Sequence, residues 1–179
     1  MRLTGKKAAL LVEDMYNEFE VWIPYYRLKE EGVEVTVVGS GTAAVYHGKY
    51  GIPIHADKKA SEVHADKFDA VVIPGGYAPD KMRIHPAMVA LVRDAYLNGK
   101  VVASICHGGW MLASAGILKG KKVTSYVAIK DDMINAGAQW EDAELVRDGN
   151  LITSRKPEDL PAFCRNLIEA MEGKYSDLH

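Results

Sequence analysis

Val101-Val-Ala-Ser-Ile-Cys-His-Gly-Gly109 is the stretch that decides the fold of this chain. Its first five residues form an apolar, β-branched run of the kind found in a buried strand, and Trp110, Met111, Leu112 and Ala113 begin a helical spacing. Cys106 therefore stands where a strand stops and a helix starts. A side chain at such a junction projects above the sheet edge, and a helix N-terminus beneath it favours thiolate over thiol. A sharp strand-to-helix elbow carrying a nucleophile needs small residues two places on either side, and Ser104 and Gly108 supply them. The Cys-His dipeptide alone reads more simply as a buried core cysteine beside an incidental histidine. The elbow pattern is what makes Cys106 a candidate nucleophile.

Outward from this elbow, strands and helices alternate. Ala8 to Val12 reads as a first buried strand. A helical stretch follows, with Pro24 expected to break or kink it before Tyr25 to Glu31, and a stop at Gly32. Glu34 to Val38 alternates as a second strand, and Ala44 to Ala56 holds two short strand-like pieces around Gly48-Lys49-Tyr50-Gly51, the pattern of a hairpin. Ala70 to Ile73 is a further buried strand ending in Pro74-Gly75-Gly76, and Pro86 to Leu97 is a helix with Gly99 past its end. Short strands are expected near Val123, at Glu144 to Val146 and at Leu151 to Ser154, with a helix over Pro157 to Glu172 and a frayed tail from Gly173 to His179. This alternation predicts a three-layer α/β/α sandwich with a mostly parallel sheet, flavodoxin-like, as one domain over residues 1–179 with its core at about 7–172. In such sheets ligands bind at the carboxyl ends of the strands. The segment after Val12, the loop after Ile73 and Cys106 all fall on that edge.

The bulk numbers narrow the function classes. A length of 179 residues suits one domain, and 48% hydrophobic with 26% charged residues is ordinary for a globular protein. A net charge of -2 without a lysine-arginine block gives no reason to expect a nucleic-acid or acidic-membrane partner. The apolar run at Ala8 to Val12 is too short for a signal peptide or a membrane span, so cytoplasm is the expected compartment. Two cysteines do not make a disulfide framework. Cys164 falls on the apolar stripe of Leu160, Phe163, Leu167, Ile168 and Met171 and is expected to pack as a small hydrophobe. The spacing of His47, His55, His64 and His85 matches no zinc pattern, so no metal site is expected. There is no dinucleotide fingerprint and no phosphate loop, so no cofactor is expected.

The only histidines after Cys106 are His107 and the terminal His179, which leaves His107 as the candidate base. Adjacent residues on a helix do not share a face, so the two side chains meet only if the elbow bends the backbone away from helical geometry. Backbone N–H groups at the elbow, and one from the Gly75-Gly76 loop, can stabilise an oxyanion; Pro-Gly-Gly also reads simply as a turn. Glu20 is one of several carboxylates after the first strand, and spacing alone does not rank it. Trp110 either narrows the pocket or fills core beneath the elbow.

These residues resemble a known family. Glu20-Val-Trp-Ile-Pro24, Arg27-Leu-Lys-Glu-Glu-Gly32, Pro74-Gly-Gly-Tyr-Ala-Pro79, Ala103-Ser-Ile-Cys-His-Gly108, Thr124-Ser-Tyr126 and Ile129-Lys-Asp-Asp-Met-Ile-Asn-Ala-Gly137 are similar to the PfpI intracellular-protease family. This is part of the ThiJ/PfpI superfamily, relatives of the class I glutamine amidotransferases, and the likeness runs from about Lys7 to Met171. The resemblance implies Cys106 as nucleophile, Glu20 as the acid bonded to its sulfur, and His107 as base. It implies Gly76 and the His107 amide as oxyanion donors, and Tyr126 as an active-site tyrosine. An acid beside a thiolate must be protonated to donate to it, so Glu20 is expected to have a raised pKa. Where protease-type members carry a glutamate donated by a neighbouring subunit, this chain has Asp80, one methylene shorter.

The implied activity is cysteine-dependent hydrolase or lyase chemistry on small carbonyl compounds or their adducts, of the glutathione-independent glyoxalase or protein deglycase type. An intracellular cysteine peptidase and a redox-stress sensor or chaperone using Cys106 oxidation are the alternatives. The implied partners are a small carbonyl substrate or a modified protein or peptide, and a second copy of the chain in a homodimer or larger homo-oligomer.

Overall fold

A computed structural model describes residues 1–173. The elements, in chain order, begin with β1 (Lys7–Val12), α1 (Glu18–Glu30), β2 (Glu34–Gly39), β3 (Val45–His47), β4 (Pro53–His55), β5 (Lys58–Lys59) and β6 (Ala70–Ile73). Then come α2 (Ala78–Met82), α3 (Pro86–Leu97), β7 (Val101–Ile105), α4 (Gly109–Ser114), β8 (Lys122–Val123) and α5 (Lys130–Asn135). The last are β9 (Gln139–Trp140), β10 (Val146–Asp148), β11 (Leu151–Ser154) and α6 (Leu160–Met171). Beyond Gly173, the expected frayed tail lies outside the described residues.

The main sheet runs β10-β11-β7-β6-β1-β2-β5 and is parallel except for β10, which pairs antiparallel with β11 across the Asp148–Leu151 turn. This is the flavodoxin-like order, flanked by one short strand at each edge. Strands buried on both faces need unbroken apolar runs. Ala8–Val12, Ala70–Ile73 and Val101–Ile105 are each buried along their whole length. The order in which successive parallel strands are added reverses between β1 and β6: β1 leads through α1 to β2 on one side, β6 through α3 to β7 on the other. Right-handed crossovers therefore put α1 and α3 on opposite faces. Helix α6 packs against α1 and completes that layer, while α3 and α4 pack together on the other. The carboxyl ends of β1, β6 and β7 meet at this switch point.

Several boundaries differ from the sequence reading. Pro24 does not break α1, which runs unbroken through it. Pro24 has no N–H for the Glu20 carbonyl, but Asn17 caps the helix through its side chain and burial of Val21, Pro24 and Leu28 holds the rest. The strand expected at Glu144 to Val146 begins two residues later, because it pairs across the Gly149 turn. The strand expected near Val123 is β8, whereas the short β5 and β9 and the short helices α2 and α5 had no periodic pattern long enough to read.

Candidate active site

The three strand ends build one cleft. Cys106 follows β7 with φ +59, a left-handed backbone that a side chain rarely adopts. This is the bend that lets neighbours in sequence become neighbours in space: Cys106 Sγ lies 3.4 Å from His107 Nδ1. Gly108 is required small, since a Cβ there would stand 2.7 Å from the Ile73 carbonyl oxygen. Cys106 is nearly enclosed, 8% exposed, and the backbone N–H groups of His107 and Gly76 both act to stabilise charge on its sulfur.

The loop after β6 supplies the second wall. Gly76 has φ +72, and a Cβ on it would sit 2.5 Å from the Asn17 nitrogen and the Met15 carbonyl oxygen. That clearance allows Tyr16 and Gly76 to bridge as in a sheet, with the Tyr77 N–H donating to the Met15 carbonyl at 2.8 Å. Gly75 has a different job from the oxyanion role considered for it. Its N–H donates to Glu20 Oε1 at 2.9 Å and is thereby occupied. A Cβ on Gly75 would lie 2.6 Å from that oxygen and 2.7 Å from the Cys106 Cβ, so glycine lets acid and thiol approach.

Glu20 is wholly buried in the first turn of α1, and its Oε2 has no nitrogen or oxygen partner among the described residues. Burial pushes its carboxyl up to about 7, against the pull of the Gly75 N–H, Lys49 and the hydrogen bond with the Cys106 thiol. The expected raised acid is thus present. The expected thiolate-favouring elbow is not: burial, then the Glu20 carboxylate, push the Cys106 thiol up to about 12. The two N–H groups and Lys49 oppose this, but the helix behind the elbow begins as a single tight turn, Cys106–Gly108, and α4 is only six residues long. Below about pH 7 acid and thiol therefore each keep a proton, and above it the acid ionises first. Burial also lowers the His107 pKa, with Lys49 adding to the effect, so its ring is neutral near pH 7.

His107 is held between aromatic rings, stacked on Tyr126 at 5.0 Å and edge-on to Trp110 at 5.2 Å. Tyr126 in turn is fixed by its N–H on the Cys106 carbonyl at 3.3 Å. Trp110 is half-buried, bonded through Nε1 to Asp132 at 2.8 Å and under the Arg83 guanidinium; it backs His107 rather than lining the cleft. Asp80 is exposed on α2 and does not line the cleft. Cys164 is buried in α6, its thiol pushed up to about 11 by that burial.

The cleft has a volume of about 410 Å³ and brings Cys106, His107, Gly76 and Tyr126 together. It also includes Asn17, Lys49, Tyr50, Tyr77, Lys156 and Glu158, which the sequence reading did not single out. Only the Gly48-Lys49-Tyr50-Gly51 turn carried a signal, and it gave no hint of where the hairpin docks. Among the described residues no helix is long and apolar enough to cross a membrane, and no group of three or more histidine, cysteine or acidic side chains is placed to hold a metal.

Comparison with known proteins agrees with this fold. Deglycase PfpI of Pyrococcus furiosus is 45% identical over 166 residues, covering 93% of this chain and 99% of that protein. The crystal structure of Drosophila melanogaster DJ-1beta superposes with a TM-score of 0.87 at 32% identity, covering 94% of this chain and 91% of that one. A two-domain protein from Anabaena variabilis, with DJ-1/ThiJ/PfpI-like and ferritin-like domains, superposes with a TM-score of 0.91 at 47% identity. That match covers 93% of this chain but only 48% of the two-domain chain, about half its length. The DJ-1/PfpI family model matches residues 6–170, and the chain belongs to that family.

Proposed function

We propose that this chain is a cysteine-dependent hydrolase of the deglycase or glyoxalase type, working as one domain on small carbonyl compounds or the adducts they form with proteins. The observation that carries this reading is the convergence of two backbone N–H groups and one buried acid on a single sulfur in a small cleft. Deglycase PfpI, at 45% identity, supports it.

In this reading the thiol proton passes to neutral His107 Nδ1 and the sulfur attacks the aldehyde carbon. A C–S bond forms and the carbonyl π pair moves to oxygen, where the Gly76 and His107 N–H groups stabilise it. Protonation by the Glu20 acid completes a hemithioacetal. With an α-oxoaldehyde, transfer of the proton on the sulfur-bearing carbon to the neighbouring carbon, and of the hemithioacetal hydroxyl proton to the neighbouring carbonyl oxygen, converts this to a thioester. Water then attacks the thioester carbon, the C–S bond breaks and the thiol is regenerated with a 2-hydroxy acid.

Among the described residues the imidazole of His107 has no carboxylate partner, and Asp80 is exposed. We therefore place Asp80 at an interface of a homodimer or larger homo-oligomer, directed toward the partner subunit's site. Light scattering that finds only monomer removes this element.

The test is turnover of methylglyoxal to lactate without glutathione. Cys106→Ala should lose activity by about a thousandfold or more, and Glu20→Ala and His107→Ala by about a hundredfold each. Absence of wild-type turnover overturns the proposal. Cleavage of fluorogenic peptides would then indicate a peptidase, and peroxide oxidation confined to Cys106 a redox sensor.

A further inference from the structure

Lys49 sits at the tip of the β3–β4 hairpin, far from the elbow in sequence, yet its side chain lines the Cys106 cleft. Its ammonium group lies over the Tyr50 ring at 5.1 Å and has no carboxylate within ion-pair distance among the described residues. It is close enough to bias charge on Cys106, Glu20 and His107 alike. We propose that Lys49 is a specificity residue that recognises a carboxylate borne next to the reacting carbon of the substrate, and that buried Glu18 positions it. This rests on the carbonyl-directed reading of the site and narrows its substrates to carbonyl compounds and adducts carrying an acid group.

The argument is one of placement. Glu18 is 4% exposed, and its Oε1 accepts the Tyr50 N–H at 2.8 Å and the Ile52 N–H at 3.4 Å. A Cβ at Gly48 would lie 2.1 Å from the same oxygen, so only glycine lets the hairpin seat this deeply. The Lys49 N–H donates to the Tyr16 carbonyl at 2.9 Å, and the Tyr16 hydroxyl donates to the Ile52 carbonyl at 2.5 Å. Tyr16 is also the residue that bridges Gly76. The hairpin tip is therefore tied to the same segment that fixes an oxyanion donor, and Lys49 is held in register with the sulfur. Lys156 and Glu158 also line the cleft, but both are exposed, opposite in charge and open to screening by solvent. With Glu20 protonated, half-buried Lys49 is the least screened charge facing the substrate. A carboxylate there gains an ion pair that an uncharged group of the same shape lacks.

The experiment compares alkylation of Cys106 by iodoacetate and by iodoacetamide, read by peptide mass at about pH 8 in folded Glu20→Gln protein, whose neutral amide keeps the charge of the protonated acid at a pH above the Glu20 pKa of about 7. In both, sulfur attacks the methylene carbon, a C–S bond forms, the C–I bond breaks and iodide leaves. One reagent places a carboxylate beside that carbon and the other an amide. Their rate ratio cancels the thiolate fraction and reports recognition of the carboxylate. The ratio should be higher in the folded protein than for the same cysteine in urea. Lys49→Met should lower it about tenfold, the size expected for one partly screened charge nearby. Lys49→Arg should retain it, Glu18→Ala should lower it by releasing the hairpin, and Lys156→Met should leave it within about twofold. An unchanged ratio in Lys49→Met, or an equal fall in Lys156→Met, overturns the proposal. The measurement needs no turnover. A high ratio without turnover of either methylglyoxal or the acid-bearing adduct of glyoxylate with lysine would refute the carbonyl-directed reading alone, and turnover with a flat ratio would refute Lys49 recognition alone.

Discussion

Replacing Glu20 by glutamine tests the electrostatics of the site through stability, independently of any substrate. The wild-type carboxyl is wholly buried and its pKa rises from the ordinary 4.5 to about 7, chiefly because burial penalises the charged form. Below pH 4.5 the group is protonated in both folded and unfolded chains and contributes no pH dependence. Between 4.5 and about 7 the unfolded chain releases its proton and the folded one keeps it, so stability falls as pH rises. Above that window the penalty is complete and amounts to about 3 kcal/mol. Glutamine preserves the acceptor for the Gly75 N–H and has no proton to lose. The stability of Glu20→Gln minus that of wild type should therefore climb by about 3 kcal/mol across the window and then level off. Urea denaturation at a series of pH values and one protein concentration measures this difference, and the subtraction removes the other titrating groups. Cys106, with its thiol pushed up to about 12, stays protonated in the folded protein throughout and does not blur the result. A difference that is flat or falls with pH would refute an acid held protonated by burial.

The remaining predictions concern the thiol, its backbone and its base. Because the Glu20 carboxylate is the second cause of the raised Cys106 pKa, Glu20→Gln should lower that pKa and speed alkylation by iodoacetamide at about pH 8; a slower reaction would mean that the carboxyl assists the thiolate. At Cys106, φ +59 reverses the usual order of substitutions, and Cys106→Gly should be more stable than Cys106→Ala by about 1 kcal/mol in urea unfolding. The opposite order would show that the elbow relaxes once the thiol is gone. His107, lowered by burial and by Lys49, should titrate in an NMR pH series below its ordinary 6.5, and a midpoint at or above 6.5 would refute the neutral base.

Much of the fold was legible because it depends on local patterns that a sheet buried on both faces enforces. The apolar runs at Ala8, Ala70 and Val101 and the breaks at Pro74 and Gly99 place the central strands, and the right-handed crossover rule fixes which face each connecting helix covers once their order is known. The position of Cys106 at a strand-helix elbow followed from the same patterns. Its ionisation did not, because a helix-terminus argument sees only the backbone. The opposing terms are long-range: burial beneath the cleft, and a carboxyl 86 positions earlier in the chain brought close by a glycine from a third segment. Lys49 was hidden for the same reason. A Gly-Lys-Tyr-Gly turn announces a hairpin, but the contacts that dock it come from Tyr16 and Glu18, and nothing in the spacing of those residues points to it. Pro24 misled because helix propensity is local, whereas the packing that carries α1 through it is tertiary.

The placement of backbone strain ties these observations together. Among the described residues, the two non-glycine positions with left-handed φ are Met15 at +66 and Cys106 at +59. Both lie on the carboxyl edge of the sheet, one after β1 and one after β7. Conformations of this kind cost about 1–3 kcal/mol each and persist where surrounding contacts over-determine them. Met15 is over-determined: its N–H donates to the His47 carbonyl at 2.7 Å while its own carbonyl accepts the Tyr77 N–H. One strained residue thus fastens the Lys49 hairpin and the Gly76 loop to the same point. Cys106 is over-determined by its carbonyl, which accepts from Tyr126, and by the close fit of Gly108 against Ile73. Relaxing either would restore favourable backbone angles and disperse the groups that surround the sulfur. The strain therefore sits where three separate strand ends have to be locked into one site, and the rest of the sheet, built from unstrained apolar strands, supplies the stability that offsets it.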